Sequence, residues 1–369
     1  MHYTLHITNR CNLACTYCYV HKGTADMSLD TAKQAVDLAA KDSGHHGIVF
    51  FGGEPLLCRE RMEQIVDYAE RVMQKGGVFF HFKVTTNGLS MDESFLDWAD
   101  RHEVFIALSH DGQGNHCRIA PDGTNISDAI DDAARRLLSR RPYAPVLMTV
   151  TPHTLSRYAD NVKYLFDLGF RYLICTMDYS APWQDKDLLV LKRQYRRLAA
   201  LYREWTKKEE KFYLSPFEVK IASHIRSHNP RAERCELGKK QLSIAPDGKI
   251  YPCVQLVGDP AFCIGDVTRG IDEEKRQALY LLNEREKPEC AGCVIRDRCQ
   301  HTCACLNKSA TGDITHVSPF LCAHERILLP IADGLAERLY GEENALFIQK
   351  QYNDMFPLLS LTEDKVVRK

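Results

Sequence analysis

The chain has 369 residues, a formal net charge of −1, 44% hydrophobic residues and 26% charged residues. This composition is ordinary for a soluble globular protein, and the length suits two or three domains. The near-zero charge gives no attraction to nucleic acid or a membrane surface, and no apolar run approaches the roughly 20 residues that cross a bilayer. The first residues lack the pattern of a signal peptide, so we expect a cytoplasmic protein without nucleic-acid or membrane partners.

The first half of the chain alternates strand and helix patterns. Apolar, β-rich runs lie at 3–8, 48–51, 79–85, 104–109, 146–150 and 172–175. Amphipathic helical patterns lie at 28–41, 60–74, 93–100, 127–138 and 154–168. This alternation predicts βαβ units and a parallel sheet, which crossovers of one hand would curl into a partial (β/α)6 TIM-like barrel. In such barrels the chemistry lies at the carboxyl ends of the strands.

Three closely spaced cysteines, Cys11, Cys15 and Cys18, directly follow the first predicted strand. The chain has 15 cysteines, and a reducing compartment favours metal binding over disulfides for such a set. Three thiolates on one short loop can hold three irons of a cubane cluster and leave the fourth iron open. An open position is what a catalytic metal centre needs.

A second motif, Gly52-Gly53-Glu54-Pro55, follows the second predicted strand. Two glycines would let the backbone approach a ligand closely, and a carboxylate can accept hydrogen bonds from an ammonium group. Polar residues also follow the third and fourth strands; these are Thr86, Asn87, Ser109 and, a little later, Arg118.

The C-x3-C-x2-C spacing, with Tyr17 before the last cysteine and Gly-Gly-Glu-Pro after strand two, resembles the radical S-adenosylmethionine (SAM) superfamily. The resemblance implies a [4Fe-4S] cluster on Cys11, Cys15 and Cys18 that binds SAM. Reductive cleavage of SAM would give methionine and a 5′-deoxyadenosyl radical, which takes a hydrogen atom from a substrate C–H bond.

The same resemblance implies the residues that contact SAM. Tyr17 would lie near the adenine, Ser109 would contact the ribose, and Arg118 would approach the carboxylate. The full predicted set of SAM contacts is Tyr17, Gly52, Gly53, Glu54, Pro55, Thr86, Asn87, Ser109 and Arg118.

The C-terminal half carries a second cysteine pattern. It comprises Cys235, Cys253 after Gly248, the run Cys290-x2-Cys293-x5-Cys299-x3-Cys303, and Cys322. A pair of zinc sites is one interpretation, because Cys290-x2-Cys293 is a good zinc half-site. Over residues 235–322 the pattern resembles the seven-cysteine SPASM domain, which holds two auxiliary [4Fe-4S] clusters, so that we expect three clusters in all.

The SPASM resemblance implies a ligand set for each auxiliary cluster. One cluster takes Cys290, Cys293, Cys299 and Cys322, and the other takes Cys235, Cys253 and Cys303. Many relatives have a further cysteine before the first one, which is missing here. The first auxiliary cluster therefore has an open iron that could bind a substrate thiolate, unless Cys263 or Cys305 completes it.

Four domains are predicted along the chain. A radical SAM partial barrel covers 1–182, and a helical bridge with a long charged helix at 186–211 covers 183–232. A loop-rich SPASM domain follows at 233–340, with a helical pattern at 323–340, and a weakly patterned tail covers 341–369.

Enzymes of this layout mostly modify peptides. The stretch 251–265 resembles ranthipeptide maturases, which form thioether crosslinks in ribosomally made, cysteine-rich peptides, although Val254 departs from their pattern. Anaerobic sulfatase-maturating enzymes, which form formylglycine, carry an Asp where Val254 stands, while Asp259 lies nearby. Carbon–carbon crosslinking of a peptide stays open. An iron–sulfur electron carrier is a further alternative, although it would need no SAM site.

The resemblance also implies partners. A precursor peptide would be the substrate, and flavodoxin or ferredoxin would donate electrons. Because the chain begins at strand one, leader recognition would come from a separate leader-binding protein or another surface, or would not be required.

Overall fold

The computed structural model describes residues 1–114, 117–227 and 234–367, and its strands form one eleven-stranded sheet. The strands are β1 (His2–Thr8), β2 (Gly44–Gly52), β3 (Val78–Thr86), β4 (Phe105–Ser109), β5 (Pro145–Val150), β6 (Tyr172–Met177), β7 (Tyr213–Leu214), β8 (Gln241–Ile244), β9 (Lys249–Tyr251), β10 (Gly265–Asp266) and β11 (Gly270–Ile271). Strands β1 to β7 pair in chain order, each parallel to the next. The predicted α/β fold with a parallel sheet is confirmed, and the short β7 adds an edge strand.

The C-terminal strands extend the same sheet from its other side. Strand β8 pairs parallel to β1, and β9, β10 and β11 then follow as antiparallel neighbours. The backbone hydrogen bonds of β8 therefore join the C-terminal part directly to the first strand of the barrel.

Twelve helices lie in the described residues. They are α1 (Leu29–Ala39), α2 (Arg59–Gln74), α3 (Glu93–Arg101), α4 (Ser127–Arg140), α5 (Tyr158–Leu168), α6 (Asp185–Lys207), α7 (Ser215–Arg226), α8 (Glu273–Glu284), α9 (Ala304–Thr311), α10 (Pro319–Gly341), α11 (Ala345–Tyr352) and α12 (Phe356–Val367). Helix α1 shows why the barrel helices form where the pattern predicts them. Ser28 accepts a hydrogen bond from Thr31 N as its N-cap, and Ala32, Ala35 and Ala39 make one buried face. No helix of the described ranges is long and apolar enough to cross a membrane.

The helix predicted at 186–211 packs along the barrel as α6, between β6 and β7. It buries Tyr195, Tyr202 and Trp205, and the Trp205 ring stacks on Phe166 with centroids 3.8 Å apart. The domain boundaries stay predictions, and the one between 232 and 233 lies outside the described residues.

Helices α8 and α9 interrupt the segment that the sequence indicates as loop-rich. Asn283 is the buried residue of α8, and Leu279 and Leu282 are only partly buried against the C-terminal core, so the apolar face of this helix is short. Helices α11 and α12 likewise lie in the weakly patterned tail, and Phe347 is the buried residue of α11.

A buried ion pair joins α7 of the barrel side to α10 of the C-terminal side. Lys220 Nζ lies 2.7 Å from Glu325 Oε2, and the two side chains are 4% and 0% exposed. Lys220 Nζ also donates to the carbonyl of Arg298 at 3.2 Å. Removing one partner of such a pair leaves an uncompensated charge in an apolar interior.

We expect Lys220→Met to lower the free energy of unfolding by about 3–5 kcal/mol, because it isolates the Glu325 carboxylate. Urea denaturation of the anaerobically reconstituted protein measures this change. The double variant Lys220→Met/Glu325→Leu removes both charges and should recover most of the loss. Equal destabilisation of the single and double variants would contradict this explanation.

Candidate active site

The loop that carries Cys11, Cys15 and Cys18 begins where β1 ends. Two backbone hydrogen bonds fasten it to the segment after β4, from Ala14 N to Ile119 O at 2.7 Å and from Thr16 N to Cys117 O at 2.8 Å. All three cysteines lie outside disulfide bonds and line one cavity of about 390 Å³. Free thiols grouped at the edge of a cavity fit an iron–sulfur cluster with one accessible iron.

The two glycines after β2 are explained by their contact with the cysteine loop. A Cβ on Gly52 would lie 2.3 Å from Thr8 O, and one on Gly53 would lie 2.0 Å from Arg10 O. Gly53 N donates to Thr8 O, and Glu54 N donates to Arg10 O, both at 2.8 Å. The glycines thus allow the segment after β2 to contact the backbone of the cysteine loop, whereas the sequence predicted only a close approach to a ligand. Their contact with SAM stays a prediction.

The Glu54 carboxylate joins the ends of β2 and β3. It is 1% exposed and accepts hydrogen bonds from Leu56 N at 3.0 Å, Thr86 Oγ1 at 2.7 Å and Asn87 N at 2.8 Å. Burial raises its pKa, and these three donors act against that rise. A carboxylate has about four acceptor positions, so one remains for a ligand ammonium group.

Asn12 was not among the predicted site residues. Asn87 donates from Nδ2 to Asn12 Oδ1 at 2.8 Å, which ties the cysteine loop to the end of β3. The position of Asn12 inside the cysteine motif could have identified it as a site residue from the sequence.

Tyr17 and Arg118 meet at a buried carboxylate, Asp111, which the sequence analysis did not select. Arg118 donates to Asp111 Oδ2 at 3.2 Å and to the Tyr17 hydroxyl at 2.6 Å, and Tyr17 donates to Asp111. The other Asp111 oxygen accepts from Thr149 N at 2.8 Å. Asp111 therefore balances the charge of Arg118 and holds Tyr17 beside it.

The cavity lies at the carboxyl ends of the strands, as predicted for a barrel of this kind. Glu54 and Asp178 supply the carboxylates among its described lining residues, and Asp178 follows β6. Gln255, Leu306 and Ser309 close it from the C-terminal side. The other predicted SAM residues on its wall are Tyr17, Gly52, Gly53, Thr86, Asn87, Ser109 and Arg118. Pro55 is buried directly behind Glu54.

The structure brings the C-terminal cysteines together in two groups. Cys303 Sγ lies 3.5 Å from Cys305 Sγ and also contacts the Cys235 thiol, while Cys305 contacts Cys253. Hydrogen bonds from Cys235 and Cys305 lower the pKa of Cys303.

The second group contains Cys290, Cys293, Cys299 and Cys322. Burial raises the pKa of Cys290, and the neighbouring Cys322 and Cys293 thiols raise it further. Burial also raises the pKa of Cys299, with a contribution from Cys322. Both groups have the soft thiolate ligands that iron–sulfur clusters use.

Comparison with known families agrees with this geometry. The profile of the radical SAM superfamily matches residues 5–189. The chain belongs to the radical SAM superfamily. The profile of SPASM, an iron–sulfur cluster-binding domain, matches residues 235–294. The protein is therefore an enzyme that uses SAM and iron–sulfur clusters.

Similarity to other proteins covers most of this radical SAM chain. A cysteine-type anaerobic sulfatase-maturating enzyme of Clostridium perfringens is 24% identical over 321 residues, which cover 79% of this chain and 85% of the relative. The structure of native anSMEcpe with bound AdoMet and Cp18Cys peptide is 19% identical, with a TM-score of 0.79 and coverage of 93% of this chain and 100% of that one. Streptococcus suis SuiB bound to precursor peptide SuiA is 14% identical, with a TM-score of 0.60 and coverage of 87% and 75%. These structural likenesses show the fold.

We expect Gly53→Ala to lower the free energy of unfolding by about 1–3 kcal/mol, because the added methyl overlaps Arg10 O. Gly23→Ala is the matched control: its Cβ would meet the nearest atom, Asn9 Cβ, at 3.8 Å, an ordinary contact. Urea denaturation compares both with the parent protein. Similar stability of the two variants would show that the β1–β2 contact tolerates a methyl group.

Proposed function

We propose that this radical SAM enzyme is a peptide maturase that forms thioether crosslinks in a ribosomally made, cysteine-rich peptide. The observation that carries the proposal is the shared cavity. Cys11, Cys15 and Cys18 line one side, and Gln255 and Leu306 line the other, within three residues of the predicted SPASM cysteines Cys253 and Cys303. A substrate held there lies beside both a hydrogen-abstracting site and an electron acceptor.

The residues have separate tasks in this proposal. Cys11, Cys15 and Cys18 would hold the cluster that binds SAM, which when bound supplies a 5′-deoxyadenosyl radical for hydrogen abstraction. Glu54 would accept hydrogen bonds from the ammonium group of SAM, and Arg118 would donate to its carboxylate. The apolar walls from β5 and β6 would exclude water from the substrate carbon.

Thioether formation requires three losses from the peptide. The acceptor carbon gives up one hydrogen atom, the cysteine thiol gives up one proton, and one electron leaves as the C–S bond forms. The two auxiliary clusters would take the electron, so the proposed enzyme holds three clusters in all. Asp178 would take the proton: its Oδ1 accepts from Ser180 N at 3.0 Å and from Ser180 Oγ at 2.5 Å, which leaves its second oxygen as the acceptor.

The proposed partners follow from the same reaction. The structures of anSMEcpe and SuiB with bound peptides support a precursor peptide as the substrate. Flavodoxin or ferredoxin would supply electrons, and the reaction would take place in the cytoplasm.

Formylglycine formation in a sulfatase is the second candidate. The likeness to the Clostridium perfringens enzyme favours it. The position after Cys253 argues against it, because Val254 lines a different depression and carries no acid–base group. Asp259 is occupied elsewhere: it caps a short helix through Ala261 N and lies 3.8 Å from Lys308.

Mass spectrometry separates the two candidates. The reconstituted enzyme is incubated with SAM, a reductant and either a cysteine-rich peptide encoded beside its gene or a sulfatase-derived peptide. A thioether product loses two hydrogen masses and one thiol that reacts with iodoacetamide. An aldehyde that reacts with a hydrazine, formed on the sulfatase peptide alone, would overturn the thioether proposal.

We expect Asp178→Asn to lower the rate of peptide modification by about 10²–10⁴-fold, because it removes the proton acceptor. Release of 5′-deoxyadenosine should persist, since hydrogen abstraction precedes this proton transfer. Asp185→Asn is the control, because Asp185 is an exposed residue at the start of α6. Full crosslinking by Asp178→Asn would exclude Asp178 as the base.

A further inference from the structure

Four cysteine thiols converge next to helix α9. Cys303 Sγ and Cys305 Sγ lie 3.5 Å apart. Cys235 contacts Cys303, and Cys253 contacts Cys305, so the thiols form a continuous series. They border one depression of about 310 Å³.

The chain fixes this series through α9. Cys303 is the N-cap residue of α9 and Cys305 lies in its first turn, so one residue separates the two thiols. Amides at a helix start favour a negatively charged group, such as a thiolate bound to iron.

Apolar side chains surround the four thiols and limit their access to water. Leu237, Leu256, Phe262 and Ile314 are 2–6% exposed and form one small core with Cys253 and Cys305. This environment is separate from the main core of the barrel.

Cys263, the other cysteine considered for this group, lies elsewhere. Cys263 donates to Gly265 O at 3.4 Å and borders a different depression, together with His6 and His21. Cys299 also borders the 310 Å³ depression, but the SPASM resemblance assigns it to the second cluster, with Cys290, Cys293 and Cys322.

We propose that Cys305 is the fourth ligand of the first auxiliary [4Fe-4S] cluster, together with Cys235, Cys253 and Cys303. Every iron of that cluster then has a protein thiolate, and none is open to a substrate thiolate. The cluster is a closed centre that transfers electrons and does not bind the peptide. This inference concerns ligation alone and holds for either candidate reaction.

Helix α9 connects the proposed ligand Cys305 with the cavity. Leu306, the next residue after Cys305, lines the cavity, and Ser309 on the same helix lies beside it. Helix α9 therefore contributes to both sites: Leu306 and Ser309 line the cavity, and Cys305 borders the depression where the cluster would bind.

Spectroscopy of the auxiliary clusters alone tests the ligand. In a background with Cys11, Cys15 and Cys18 changed to Ala, two cubanes give about eight irons per chain. We expect the electron paramagnetic resonance (EPR) signal of the reduced background protein to be unchanged by added 2-mercaptoethanol. Adding Cys305→Ala should release about one iron on mild oxidation, give a [3Fe-4S] signal, and make the reduced signal respond to 2-mercaptoethanol.

Cys263→Ala in the same background is the matched control, and it should keep all irons and the unchanged signal. If Cys305→Ala fails to hold clusters, Cys305→Ser replaces it. The serine oxygen is a weaker ligand, and it should retain the iron with a shifted reduction potential. The assignment would be overturned if the background protein itself responded to 2-mercaptoethanol or if Cys263→Ala lost iron. It would also be overturned if Cys305→Ala or Cys305→Ser left the clusters unaltered, or if the sites held zinc in place of iron.

Discussion

The close backbone contact between the cysteine loop and the segment after β2 is the constraint on which the site depends. Gly53 N and Glu54 N donate to carbonyls at the end of β1 and in the cysteine loop, and no Cβ fits at Gly52 or Gly53. The contact places Glu54 where it also binds the end of β3. The ends of three strands are thus fixed to one another, and the free thiols are presented to one cavity.

The pairing of β8 with β1 extends this arrangement to the C-terminal domain. Strand β8 joins the strand that leads into the cysteine loop, and Gln255 and Leu306 of the C-terminal domain line the same cavity. The buried Lys220–Glu325 pair and the packing of α10 on α6 and α7 hold the other side. In the proposed reaction, hydrogen abstraction and removal of an electron would act on one bound substrate.

The sequence predicts what depends on local pattern and misses what depends on tertiary contacts. Buried parallel strands appear as apolar runs, so β1 to β6 were identified. Helix α7 was missed because it buries Glu218, Lys220 and Ser223 beside its apolar residues, which hides its periodicity. Asp111 and Asp178 lie on loops after strands, and only the fold shows that one balances Arg118 and the other borders the cavity. The sequence left the roles of Cys263 and Cys305 open for the same reason, since thiols far apart in the chain meet only after folding.

Release of 5′-deoxyadenosine tests whether the loop after β1 is the site of SAM cleavage. The reconstituted enzyme is given SAM and a strong reductant, and the product is quantified by chromatography against Cys15→Ala. We expect release by the parent enzyme and none by Cys15→Ala, because the variant lacks a ligand of the cluster that binds SAM. Equal release by both proteins, or none by a parent enzyme with a full complement of iron, would contradict this expectation.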